Sequence, residues 1–306
     1  MVFENLIGPV SAKKHPFKIF FLGIFFAFTA AAFSMWIFKQ EASLVMVFLV
    51  VLMSMPLMFA TFREEEEEDW VIDTESGILK EHGKAINFMF LMFLGFVIGF
   101  AFIYVVLPEN LVSTLFGIQL VTIDSINSNV VKNLDAQRSS MFIGKFSGID
   151  GDVVSGKLTS SEAFSLILIN NVKVMFFCLI FAFFFGAGAI FVLAWNASVI
   201  SAAIGTYFRN GLANYAHIIG LEKVAVHFQL FVAGTLRYMT HGIFEIVGYF
   251  LAALAGGIIS MALINHGTAN KGFNKIAIDV SVLIVIGLIF LVVGSFVEVF
   301  ITPALF

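Results

Sequence analysis

His241 and Glu245 stand one helical turn apart inside an almost uninterrupted apolar stretch, residues 240–263, which reads THGIFEIVGYFLAALAGGIISMAL. Positions i and i+4 share a helix face. A histidine so placed holds or exchanges a proton with the carboxylate. The stretch is long enough to cross a bilayer, where a charge is costly and faces protein, water or a partner. Lys173, Arg237 and Glu298 are the other ionisable groups able to reach this pair. A Lys173–Glu245 ion pair would cancel two costly charges. Two roles stand open for Glu245. It is a structural lock, satisfied by Lys173, Asn171 or backbone donors, or it is a proton or ion site. A metal site is the weakest option, because two ligands lack a third nearby in sequence.

The elements that must position these residues are apolar helices. The chain has 306 residues, of which 60% are hydrophobic and 12% charged. Soluble domains are roughly one quarter charged. The apolar mass comes in runs of about 20 residues, the length of a helical span, without the alternation of a β-barrel. The spans are read at 17–38, 42–62, 85–107, 164–185, 240–263 and 276–299, with a further apolar stretch at 189–208. The last of these follows Gly186-Ala187-Gly188-Ala189. It is either a full span after a break or a half-helix re-entering the membrane. The fold class is therefore all-α, a polytopic transmembrane bundle of six or seven spans with one broken or re-entrant.

Two polar segments interrupt the spans. Arg63 is followed by six acids, Glu64 to Asp69, in a stretch that reads as a solvated loop. Residues 108–163 read as a small helical cap on the outer membrane surface. Within it, Thr159-Ser160-Ser161-Glu162 has the capping-box pattern that starts the next helix. The domain reading is a two-span hairpin with an acidic loop at 1–84, then a membrane domain at 85–306 carrying the cap. Lys13, Lys14 and Lys18 outweigh Lys39, while Arg63, Lys80, Lys84, Lys271 and Lys275 gather at alternate ends of the spans. The positive-inside rule then places the N-terminus, the acid run and 265–275 inside a cell membrane. Parity favours a full crossing by 189–208, seven spans and an outside C-terminus.

Gly248, Ala252, Gly256 and Ser260 recur every fourth residue beside Gly257. Such a small-residue ridge lets helices approach closely, within the chain or between copies. Asn170, Asn171, Lys173 and Asn196 add polar groups at membrane depth, and Gly186 and Gly188 mark the break. Cys178 is the single cysteine, which excludes an internal disulfide and a cysteine metal site. The sequence has no P-loop, GxSxG or HExxH, and no basic patch for nucleic acid.

Taken in order, Asn170-Asn171-x-Lys173-Val174, Gly186-Ala187-Gly188-Ala189-Ile190, Trp195-Asn196-Ala197-Ser198, His241-Gly242-x-x-Glu245 and the Gly256-Gly257 helix resemble the stage II sporulation protein M family. The likeness of these motifs covers roughly 85–306. The first two spans and the acid run look like the extended form of archaeal members. The resemblance implies a multi-pass protein of the cell envelope. The bacterial sporulation member is regarded as an anchor that recruits wall-remodelling enzymes, a role that does not transfer whole to archaeal members. The expectation is a non-enzymatic scaffold or assembly protein, without cofactor or metal. Its partners would be the bilayer and other membrane or envelope proteins or a second copy, and not nucleic acid. The alternative is a transporter or channel built around the His241–Glu245 site.

Overall fold

The architecture is taken from a computed structural model. It describes residues 16–71, 75–124, 160–185, 189–215, 221–265, 267 and 273–305. The described elements are helical: α1 (Pro16–Ile37), α2 (Ala42–Val71), α3 (Glu75–Val106), α4 (Glu109–Leu115), α5 (Ser160–Phe185), α6 (Ala189–Ala213), α7 (Leu221–Asn265) and α8 (Phe273–Phe296). A π-helical turn (Val297–Ile301) and α9 (Thr302–Leu305) follow. No strand occurs among the described residues. Among the described residues seven helices are long and apolar enough to cross a membrane: α1, α2, α3, α5, α6, α7, and α8 with its continuation to Leu305. Apolar surface all round explains why these helices persist, since in lipid the backbone must satisfy its own hydrogen bonds.

The bundle is organised around α7. It packs most extensively on α8 and α5, and α3 packs on α1; α6 lies between, touching α3, α7 and α2. At α1–α3 the approach is set by glycine. A Cβ on Gly23 would lie 2.5 Å from the Met92 carbonyl oxygen, and one on Gly95 would overlap the Phe20 carbonyl. With no side chain between them, the backbones touch. The same device joins α7 to α8 and α5. A Cβ on Gly248 would come within 3.0 Å of the Gly287 carbonyl oxygen, and one on Gly256 within 2.5 Å of that of Leu179.

Two local expectations change. The acid run, expected in a loop, lies on α2, which continues to Val71. Glutamate is a good helix former, and Arg63 Nε donates to Glu67 at 3.0 Å one turn on. Glu65 and Glu66 are buried rather than solvated, 0% and 1% exposed. Glu65 meets His82 Nδ1 of α3 at 2.9 Å, and Glu66 accepts from Asn265 Nδ2 of α7 at 3.1 Å. Likewise, the segment 221–239, outside the span read at 240–263, is helical. It is the first part of α7, a 45-residue helix, which at 1.5 Å per residue runs about 67 Å. Gly211 and Gly234 let α6 pack along this early part, against Leu230 and Tyr207.

Of the expected cap, residues 108–124 are described, and 160–163 belong to the start of α5; 125–159 lie outside the described residues. Pro108 precedes α4, and helical residues 117–124 follow it. The inner face of this part is seated in the bundle. Leu115, Phe116 and Gln119 are fully buried. Gln119 Oε1 accepts from Ser43 Oγ of α2 at 2.6 Å, and its Nε2 donates to Ser198 Oγ of α6 at 3.2 Å.

Candidate functional site

The polar cluster forms where α5, α7 and the end of α8 meet. Asn171 of α5 is 5% exposed and donates from Nδ2 to Glu245 Oε1 at 2.6 Å. Its Oδ1 accepts from the Tyr249 hydroxyl at 2.8 Å. One amide is thereby used at both ends, which fixes its orientation. Tyr249 lies one turn beyond Glu245, so positions 241, 245 and 249 form a single stripe on α7. Glu298 approaches from the π-helical turn, close enough to hydrogen-bond the Glu245 carboxyl. Gly294 makes the approach possible, since a Cβ there would lie 2.9 Å from Glu245 Cγ.

His241 is turned elsewhere. The Thr302 hydroxyl donates to the Val297 carbonyl oxygen at 3.1 Å, and its oxygen lies 3.3 Å from His241 Nδ1. The hydroxyl proton is committed to Val297, so the imidazole N–H is the donor in this long contact. His241 therefore ties the start of the membrane stretch to the last turn of the chain, and it makes no bond to Glu245.

Of the partners open to Glu245 in the sequence, Asn171 is the one it meets, and the Lys173–Glu245 pair does not form. Successive residues turn by about 100° on a helix, so Lys173 stands about 200° from Asn171. With Asn171 facing α7, Lys173 and Asn170 face outward, and both are exposed. Asn196 is also apart from the cluster: it donates from Nδ2 to the Val192 carbonyl oxygen of its own helix at 2.7 Å. Arg237 places its guanidinium 5.6 Å from the centre of the Tyr207 ring. Gly186 and Gly188 lie outside the described residues. The ridge of Gly248, Ala252, Gly256, Gly257 and Ser260 is buried inside one chain. Gly257 receives the Phe62 ring of α2. Among the described residues, no group of three or more His, Cys, Asp or Glu is placed to hold a metal ion.

Sequence reading missed Tyr249, Thr302 and a second latch between α3 and α6. Tyr249 had a signal, its place on the stripe. The latch had none. The Tyr104 ring lies on Gly205, its hydroxyl is 2.9 Å from Thr206 Oγ1, and Arg209 stacks 5.3 Å from the ring centre. Arg209 also donates to the carbonyl oxygens of Tyr104 and Leu107 at the end of α3. A cation there satisfies carbonyls that the helix leaves open and complements its dipole.

Seven apolar helices closed on one another by glycine contacts and buried polar pairs define a multi-pass helical membrane protein. The family model of stage II sporulation protein M matches residues 11–303, and the chain belongs to that family. The match is longer than the stretch covered by the five motifs and takes in the first two spans. Comparison with curated proteins and with solved structures gives no match.

Proposed function

We propose that the protein is a non-enzymatic scaffold or assembly factor of the cell envelope. The observation that supports this most is the use made of Glu245. Its carboxyl is held by Asn171, which is held by Tyr249, and the three residues join α5 to α7. Polar groups committed to one another in this way specify a packing, as interhelical hydrogen bonds do in membranes. The glycine ridge that could have joined two copies is spent on contacts within the chain. Partners are then other membrane or envelope proteins, met by surfaces outside the ridge. The charge bias of the loops supports an inside N-terminus and, with seven spans, an outside C-terminus. Purification in mild detergent tests the reading through native mass. A complex heavier than one chain in its micelle is expected, and a bare monomer without partner or self-association would sink the proposal.

A second reading, a transporter or channel, draws on Glu298. Two carboxyl groups face one another, and one of them sits on a π-helical turn, a feature frequent at functional sites. That reading requires flux across a bilayer that depends on Glu245.

A further inference from the structure

One helix face is not explained by packing within the chain. α5 is the least enclosed of the seven spans, with 22% of its most apolar window buried. Leu166, Ile169, Asn170, Lys173, Phe176 and Phe177 are all exposed. They recur at i, i+3, i+4, i+7, i+10 and i+11, the seam spacing of two packed helices. Lys173 sits in the middle of this seam. It is 13 residues from Ser160 and 12 from Phe185, the two ends of the helix. Along the axis that is about 20 and 18 Å, farther than one lysine side chain reaches by snorkelling to an interface. Among the described residues Lys173 has no hydrogen-bond or ion-pair partner, and a bare cation at that depth is costly. Asn170, on the same seam, adds an amide that hydrogen-bonds across helices in membranes.

We propose that this seam docks a transmembrane helix of another protein, one that carries a carboxylate at the depth of Lys173. The charge selects the occupant. Among the described residues a second copy of this chain does not supply it, because Glu245 and Glu298 face each other and Asp279 lies near the start of α8. A parallel copy would set Lys173 against Lys173. A partner carboxylate neutralises the lysine, while Phe176 and Phe177 on one side and Leu166 and Ile169 on the other pack the flanking turns. The inference rests on the scaffold reading and gives the partner its chemistry.

The test uses the full chain in phosphatidylcholine vesicles, carrying a fluorophore at Ala304→Cys in a Cys178→Ala background. Bilayer-spanning polyleucine helices with a central Glu, Gln or Leu serve as probes, read by energy transfer. The Glu helix is expected to associate about ten-fold more tightly than the Leu helix, the scale of one good interhelical polar contact. That preference disappears in Lys173→Met and persists in Lys173→Arg. Equal association of all three helices overturns the proposal, as does a Glu preference that survives Lys173→Met. So does a preference that vanishes in phosphatidylglycerol vesicles, since the lysine then takes a lipid phosphate. A heavy native complex with no Glu preference overturns the seam alone; a bare monomer overturns the scaffold reading instead.

Discussion

Asn171 donates one amide hydrogen to Glu245 and accepts from the Tyr249 hydroxyl, so replacing it strips two neighbours together. Asn171→Leu takes the bridging amide from a part-buried carboxyl and a buried phenol, each a loss of about 1–3 kcal/mol in the usual range. A clear drop in the thermal midpoint in detergent is expected. Asn171→Asp is expected to lower it further, because a third carboxyl then enters a site that already holds Glu245 and Glu298. A midpoint unchanged in both variants would show that the cluster does not hold the helices. At this scale the sequence was half legible. The spacing of His241 and Glu245 revealed the face, and one more turn would have added Tyr249. The choice of Asn171 over Lys173 was hidden, because it depends on which side of α5 meets α7, a fact of packing rather than of local pattern. Thr302 was hidden for the same reason, since it lies 61 residues from His241.

At the scale of elements, glycine positions set how near the helices come. Gly294→Ala puts a methyl 2.9 Å from Glu245 Cγ, and Gly256→Ala puts one 2.5 Å from the Leu179 carbonyl oxygen. The second neighbour is backbone and yields less than a side chain, so Gly256→Ala is expected to destabilise more, by about 1–3 kcal/mol as overpacking does. Gly83→Ala is the control: nothing lies within 4 Å of its Cβ. In that helical position alanine is expected to be neutral or to stabilise by up to about 1 kcal/mol. Unfolding in mixed micelles checks the order Gly83, Gly294, Gly256; a Gly256 variant as stable as the parent contradicts the observed contact. The ridge was readable in sequence, while its partner helices were not. The acid run shows where a local rule misleads. A block of like charges reads as solvated, yet here a helix sends Glu65 to His82 and Glu66 to Asn265. Partners 17 and 199 residues away leave no trace in the run itself.

For the whole molecule, the helical class and a count of six or seven spans were readable from the length and composition of the apolar runs, since bilayer thickness fixes the length of a span; whether 189–208 made the seventh was left open by the glycines before it. What joins the spans was not plain, because lipid-facing and protein-facing surfaces are equally apolar. Seven crossings put the turn at 38–41, residues 214–215 and the end of the chain on one face of the membrane. Single cysteines at Gln40, Asn214 and Ala304, in a Cys178→Ala background, should therefore react with an impermeant maleimide from the same side. One at Gly83 should react from the other side. Any mixture among the first three breaks the seven-span topology. We propose that the cluster around Glu245 fixes a packing and carries no ion. The most direct test is ion flux in proteoliposomes of the parent chain and Glu245→Gln. Proton and sodium flux no greater than in protein-free vesicles is expected for both; a saturable flux in the parent that Glu245→Gln abolishes would overturn the packing role.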